Sequence, residues 1–251
     1  MIHKQSRFPQ LAKTPFRCIS AGRTSSGKTS ALYSAVTDHY RGCFKRGLVI
    51  VSRTAHLDHS YIQLREYAEK HFRQNNKEKQ FVFTDFDDEE ALMSIFNEHA
   101  QLVAKEKLQR KEEHSKEPLS GLLWCIDDLS DSQQLRTRNE SVLNRVFTLG
   151  RHSSQSMWLN CHALSAVGTL LRKNDSCLVI FKISNHKEYD MLREEYAHLV
   201  GKEEFDQIYQ MAVGKGAPPY SFLMILPHEP DENKMFLARF DQRLVVESDS
   251  D

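Results

Sequence analysis

Apolar runs of strand length alternate with helical patterns along most of the chain. The runs predicted as strands are residues 16–22, 47–54, 81–86, 121–129, 156–163 and 176–183. The helical patterns cover residues 28–40, 58–73, 88–116, 134–150, 164–174 and 186–199. Several strand runs are apolar on both faces, and strands alternate with helices. We therefore expect βαβ units that form a mostly parallel central sheet in a three-layer α/β/α domain.

The C-terminal third departs from this alternation. A helix is predicted over 202–213, and the apolar runs at 220–227 and 234–240 predict a hairpin at the edge of the sheet. No linker separates two cores. The predicted organisation is an N-terminal extension (1–14), a single domain (15–245) and a disordered acidic tail (246–251).

Composition narrows the class of protein. The chain has 251 residues, with 34 Lys and Arg balanced by 34 Asp and Glu. A net charge of zero excludes a uniformly basic nucleic-acid coat but allows a local basic patch. No apolar run approaches the roughly 20 residues of a membrane helix, and no signal peptide is recognisable. Five cysteines without a C-x-x-C pair are typical of a reduced, intracellular protein.

The most specific motif is the segment from Gly22 to Thr29, which matches G-x-x-x-x-G-K-[ST] at every position. An apolar strand precedes it and a helical pattern follows it, as a phosphate-binding loop requires. The two glycines allow a tight turn whose backbone N–H groups point at phosphate oxygens. Lys28 can reach the β- and γ-phosphates, and the Thr29 hydroxyl can bind Mg²⁺. The cofactors predicted from this motif are ATP and Mg²⁺. The predicted nucleotide-binding residues are Gly22, Arg23, Thr24, Ser25, Ser26, Gly27, Lys28, Thr29 and Ser30.

Two carboxylates end the apolar run at 122–126. A nucleotide-binding loop needs an acid at the tip of a nearby strand to hold Mg²⁺, and Asp127 fits that role. Asp128 can then activate the attacking water as a general base. The alternative is a helix N-cap, which often produces the same pattern. The phosphate loop about a hundred residues earlier favours the metal-binding interpretation.

These motifs, followed by Gly150-Arg151-His152 and the later segment LLRKN (170–174), resemble the viral genome-packaging ATPases of the FtsK/HerA superfamily. The poxvirus-like and virophage-like branches are the most similar. The resemblance covers roughly residues 15–200. It implies an ATP-driven motor that translocates double-stranded DNA as a homo-oligomeric ring, with capsid or other assembly proteins as further partners. The location that the resemblance implies is the host cytoplasm or a viral factory, together with association with the virion.

The resemblance also implies an arginine that one subunit supplies to the nucleotide of its neighbour. Arg151 is the first candidate and Arg172 the second. A trans-acting arginine stabilises charge that develops on the γ-phosphate. The alternative for Arg151 is a cation favoured by a helix C-terminus.

The chain departs from the family pattern at two positions. The family commonly has Gln as a polar sensor at the end of the next strand, where this chain offers His162 or Asn160. The residue after the Mg²⁺-binding Asp is often Glu, and here it is Asp128. These departures leave open a nucleotide-gated assembly or docking protein with slow turnover. A cellular translocase of the HerA or conjugation type and a small-molecule kinase are further alternatives. Cations that could contact DNA are Arg53, Arg136, Arg138 and the run at 107–111.

Overall fold

The structure, a computed structural model, describes residues 2–72, 80–127, 135 and 141–245. Within these ranges the strands are β1 (Arg17–Ala21), β2 (Gly47–Ser52), β3 (Gln80–Phe83), β4 (Leu122–Asp127), β5 (Gln155–Cys161), β6 (Cys177–Phe181), β7 (Phe222–Ile225), β8 (Phe236–Ala238) and β9 (Gln242–Arg243). The α-helices are α1 (Lys28–Ser34), α2 (His59–Phe72), α3 (Glu89–Glu112), α4 (Val142–Leu149), α5 (Thr169–Arg172), α6 (His186–Tyr196) and α7 (Lys202–Val213). A π-helical turn, Ala35–His39, continues α1.

These strands form one sheet in the order β3-β2-β4-β5-β1-β6-β7-β8-β9. The first six strands of that order are parallel, and β7, β8 and β9 continue the sheet in antiparallel fashion beside β6. The predicted mostly parallel sheet is confirmed. The structure also contains the C-terminal hairpin predicted at the sheet edge, with the short strand β9 added beyond it.

Alternate side chains of the central strands enter cores on opposite faces of the sheet. In β4, Trp124 packs on one face and Cys125 on the other. Helices α3, α4 and α7 cover the face of Trp124, and α1 and α2 cover the opposite face. This arrangement explains why the strands read as continuous apolar runs, since neither face meets water. It is the predicted three-layer α/β/α fold.

The segment before β1, predicted as an extension, packs against the domain. Leu11 and Ala12 are buried in the core beside α1, and the Tyr40 hydroxyl donates a hydrogen bond to the carbonyl oxygen of Ala12 (2.9 Å). Within the described ranges, no helix combines the length and apolar character that crossing a bilayer requires.

The continuous helix predicted over 164–174 is wrong. A short 3-10 turn, Leu164–Ala166, is separated from α5 by Gly168, whose backbone is extended (φ −61°, ψ 149°). The Gly168 N–H donates to the carbonyl of Leu135 (2.7 Å), a tertiary contact that competes with helix continuation. The helix predicted over 134–150 begins, in the described part, only at α4, where the Ser141 hydroxyl caps the N–H of Asn144. The predicted acidic tail (246–251) lies outside the described residues.

Candidate active site

The chemistry predicted from the sequence gathers at one edge of the sheet, where the parallel strands end. The phosphate loop follows β1, Asp127 ends β4, and His162 directly follows β5. In open α/β sheets this carboxyl edge is where ligands bind. Here it holds a cleft of about 450 Å³ lined by residues 24–30, Asp127 and His162. The strand order thus brings distant motifs to one cleft.

The phosphate loop has the tight geometry that its glycines predict. A side chain at Gly22 would place its first carbon 2.7 Å from Phe181 and 2.8 Å from the Ser26 hydroxyl. Gly27, which precedes α1, has a φ of 101°, in the left-handed region that favours glycine. The Lys28 ammonium donates to the carbonyls of Gly22 (2.7 Å) and Arg23 (3.0 Å). The loop therefore curls around a buried cation.

Asp127 is the centre of a hydrogen-bond cluster contributed by three elements. Its carboxylate oxygen Oδ2 accepts from the Thr29 hydroxyl (3.2 Å), the Tyr61 hydroxyl (3.0 Å) and the Asn160 amide (3.0 Å). The Asp127 side chain lies in the wall of the cleft. Burial and the neighbouring carboxylate raise the pKa of Tyr61 well above its ordinary value, so its hydroxyl stays protonated and donates. These donors hold Asp127 in one orientation toward the phosphate loop.

The two sensor candidates occupy different positions. Asn160 is buried; it donates to Asp127, and its own amide oxygen accepts from the Trp158 indole N–H (2.9 Å), which fixes the amide orientation. His162 is exposed and lines the same cleft as the phosphate loop. Asn160 is therefore placed to act on the nucleotide through Asp127, whereas His162 can contact a bound ligand directly.

The residues present fit Mg²⁺ and a triphosphate. Thr29 and Asp127 are within hydrogen-bond distance of each other, and a hydroxyl and a carboxylate are the hard oxygen ligands that Mg²⁺ takes alongside phosphate oxygens. The buried Ser26 hydroxyl has no hydrogen-bond partner among the residues that the structure describes. It lies in the wall of the cleft, where a phosphate oxygen would satisfy it. The predicted base Asp128 lies outside the described residues.

The two candidate arginines lie at the opposite edge of the sheet, where the strands begin. Arg151 is exposed and precedes β5, and its Nε donates to the His152 ring (3.3 Å). At about 3.3 Å per residue, β5 separates the two edges by roughly 20 Å, farther than an arginine side chain reaches. Arg172 donates to both Glu195 carboxylate oxygens (2.7 and 3.0 Å) and to the carbonyl of Val167. Arg172 is therefore committed to a partner in its own chain.

The candidate DNA contacts are only partly described. Arg53 is exposed after β2, while Arg136 and Arg138 lie outside the described residues. The run at 107–111 lies in α3, where Lys107 donates to the His152 carbonyl (2.5 Å) and Arg110 to that of Pro118 (2.8 Å). Two cations of this run thus contact their own chain.

Sequence reasoning missed several residues that line the cleft or touch Asp127. Thr54 and Asp58 line the cleft from the segment between β2 and α2. In the first turn of α2, Ser60 also lines the cleft and Tyr61 donates a hydrogen bond to Asp127. Adjacent pairing of β2 with β4 brings that segment to the site, because Ser52 is the register partner of Asp127. Tyr220, which precedes β7, also lines the cleft. No motif in the sequence signals it.

A parallel α/β sheet with this loop, acid and strand order defines the chain as a P-loop NTPase fold. Residues 3–216 match the family model described as poxvirus A32 protein, so the chain belongs to that family. The family is one of viral packaging ATPases, which confirms the predicted relationship and enzyme class. No curated protein sequence matches the chain significantly.

Solved structures share the fold at low sequence identity. B204, the DNA-packaging ATPase from Sulfolobus turreted icosahedral virus, has a TM-score of 0.52 at 13% identity, over 90% of this chain and 97% of B204. The B204 genome packaging NTPase of Sulfolobus turreted icosahedral virus 2 in complex with ATPγS has a TM-score of 0.51 at 13% identity, with the same coverage. EssC (ATPases 2 and 3) from Geobacillus thermodenitrificans has a TM-score of 0.56 at 12% identity, over 95% of this chain and 41% of EssC.

Proposed function

We propose that this protein is an ATP-hydrolysing motor that translocates double-stranded DNA to package a viral genome. The observation that carries the proposal is the cluster of Lys28, Thr29 and Asp127 at the carboxyl edge, in a member of the poxvirus A32 protein family. The fold shared with B204, a DNA-packaging ATPase, supports the same class of function. DNA and capsid or assembly proteins are the partners that this function requires.

In this proposal the phosphate loop and the sequence-predicted acids and sensors have defined tasks. The loop N–H groups and Lys28 hold the phosphates, and Thr29 and Asp127 hold Mg²⁺. A metal ion held there would supply positive charge that offsets the negative charge of the phosphates. Asn160 keeps the Asp127 carboxylate oriented, and His162 in the cleft wall contacts the bound phosphates as the sensor. Asp128 positions the attacking water as a general base.

A complete site in this proposal needs a neighbouring subunit. Arg151 is exposed at the edge opposite to its own phosphate loop, so it can reach only the nucleotide of another copy. Head-to-tail contacts of this kind close into a ring when the rotation between copies allows it. Hydrolysis then shifts one subunit against the next and moves DNA by its phosphate backbone, which needs few base contacts.

Two departures from the family pattern favour a second candidate function. Asp128 stands where the resemblance implies Glu, and Asn160 or His162 stands where it implies Gln. A shorter acid and a different sensor fit a nucleotide-gated assembly protein that binds ATP and hydrolyses it slowly. The two functions differ in whether DNA accelerates turnover.

The deciding experiment measures the steady-state ATPase rate with and without double-stranded DNA. Wild type is compared with Lys28→Ala, Arg151→Ala and the exposed-surface control Lys45→Ala. We expect DNA to stimulate wild type and Lys45→Ala, and each of the other two substitutions to abolish turnover. Mixing Lys28→Ala with Arg151→Ala protein should restore activity, because an intact loop then meets an intact arginine across an interface.

Other outcomes discriminate between the two functions. A slow rate that DNA leaves unchanged, with ATP still bound, would contradict the motor and favour the assembly protein. If DNA stimulates the wild type but the mixed variants do not recover activity, the motor function stands and only the trans role of Arg151 is contradicted.

A further inference from the structure

Tyr220 has an unusual conformation beside the phosphate loop. It lies between α7 and β7, and 71% of its side chain is exposed. Its φ is 61°, in the left-handed region that bulky residues rarely occupy. A large aromatic side chain held in such a backbone conformation on the surface is neither a core residue nor an ordinary turn residue. Strained backbone of this kind is often found at ligand sites.

The Tyr220 side chain packs directly on the loop. If Gly27 carried a side chain, its first carbon would lie 3.2 Å from Tyr220 Cβ and 3.3 Å from a ring carbon. Gly27 lacks a side chain, so the Tyr220 ring can lie against the loop backbone. The tyrosine is thus positioned beside the point where α1 begins.

A second cavity of about 280 Å³ lies next to the phosphate cleft. Ser25, Ser26 and Tyr220 line both cavities, so the two meet at these residues. The remaining walls of the second cavity are mainly apolar and include Val213, Pro218 and Pro219, with the cations Arg23 and Lys182 at the loop and after β6. A molecule whose phosphates occupy the first cavity can therefore extend into the second.

We infer that this second cavity binds the nucleobase of ATP and that Tyr220 stacks on the base. A purine is flat and largely apolar on its faces, which matches an exposed aromatic ring beside prolines. Stacking on an aromatic side chain tolerates different bases because each has a π-face. The inference rests on the proposed nucleotide-binding function and identifies the part of the site that no phosphate-loop motif specifies.

The test separates base binding from phosphate binding. Dissociation constants for ATPγS and inorganic tripolyphosphate are measured by calorimetry for wild type, Tyr220→Ala, Tyr220→Phe and the control Met211→Ala, an exposed apolar side chain of α7. We expect Tyr220→Ala to weaken ATPγS binding about 10-fold while tripolyphosphate changes less than about twofold. Tyr220→Phe and Met211→Ala should bind both ligands as wild type does.

A spectroscopic variant gives a second readout. The native tryptophans, Trp124 and Trp158, are buried in the core. The emission of an exposed indole introduced by Tyr220→Trp should be quenched by ATPγS and not by tripolyphosphate.

Three results would overturn the inference. Unchanged ATPγS affinity in Tyr220→Ala would place the base elsewhere. Equal weakening of ATPγS and tripolyphosphate binding would indicate that Tyr220 only stabilises the phosphate loop. Wild type that binds neither ligand would overturn this inference together with the proposed function, whereas the first two results leave the proposed function intact.

Discussion

The two edges of the parallel sheet use similar side chains for opposite purposes. At the carboxyl edge, Asp127 accepts hydrogen bonds from Thr29, Tyr61 and Asn160 and lines an open cleft. At the amino edge, Asp175 is enclosed and accepts a hydrogen bond from the Tyr196 hydroxyl (3.0 Å). Burial raises the pKa of Asp175 to about 7, although Tyr196 and Arg17 act in the opposite direction. One carboxylate is oriented for a ligand, and the other is part of the core.

The arginines show the same division within the amino edge. Arg172 is bound by Glu195, whereas Arg151 is exposed beside Arg17. Burial and the charge of Arg151 lower the pKa of Arg17, which indicates that cations crowd there.

The largest effect is expected at Asp127. Asp127→Asn keeps the shape of the side chain but removes the negative charge that Mg²⁺ needs, so turnover should fall by about 100-fold or more. ATPγS affinity without Mg²⁺ should change little, because Lys28 and the loop N–H groups remain. Turnover and calorimetric binding are measured in parallel. Retained turnover would contradict the metal-binding role.

The arginines should respond in opposite ways. Arg151→Ala is expected to lower turnover by about 100-fold with no change in Tm, because in the proposed motor its guanidinium stabilises charge on a neighbour's nucleotide. Arg172→Ala leaves Glu195 partly buried without its partner, which should cost about 2 kcal/mol of stability and lower the Tm by several degrees. Its turnover below the transition should remain near wild type. The reverse pattern would exchange the roles assigned to the two residues.

A smaller effect is expected at Tyr61. Tyr61→Phe removes one of three donors to Asp127 and leaves the ring packing intact, so the Mg²⁺ concentration for half-maximal turnover should rise several-fold. Tyr40→Phe is the matched control, since its hydroxyl bonds Ala12 in the core beside α1. If Tyr61 had only a structural role, Tyr61→Phe and Tyr40→Phe would both lower the Tm, and neither would change the Mg²⁺ dependence of turnover.

Asp175 should affect stability with pH and leave turnover unchanged. Its carboxyl keeps a proton up to about pH 7 in the folded state, whereas the unfolded chain releases it near pH 4. The stabilisation is therefore complete below pH 4 and is lost as pH rises through 7. A difference of about three pKa units corresponds to at most about 4 kcal/mol.

The check is chemical unfolding of wild type and Asp175→Asn between pH 4 and 8. The free-energy difference between them should decline with rising pH. Burial lowers the pKa of His99 to about 4 and produces the opposite trend, but His99 is present in both proteins and cancels in the difference. A difference that stays constant with pH would contradict the raised pKa.

Local sequence predicted the carboxyl edge better than the rest of the molecule. The phosphate loop, the Asp127 strand end and the two sensor candidates, His162 and Asn160, were all recognisable, because each lies at or near the end of an apolar run. The hydrogen bond from Asn160 to Asp127 was not recognisable from the sequence, since it depends on the pairing of β5 with β4. The prediction of a continuous helix over 164–174 was wrong for the same reason. The hydrogen bond from the Gly168 N–H to the Leu135 carbonyl is a tertiary contact that the local sequence does not indicate.

Local residue patterns were enough to predict the alternating elements, the buried parallel strands and the phosphate loop. These follow from hydrophobic periodicity and from backbone demands that a few neighbouring residues satisfy. Long-range packing, in contrast, brings Tyr61 to Asp127 and Tyr220 to Gly27, and it places Arg151 and Arg172 far from their own loop. The first two contacts join residues that are 66 and nearly 200 positions apart in the sequence. Strand order and helix packing create these contacts, and no local pattern encodes either of them.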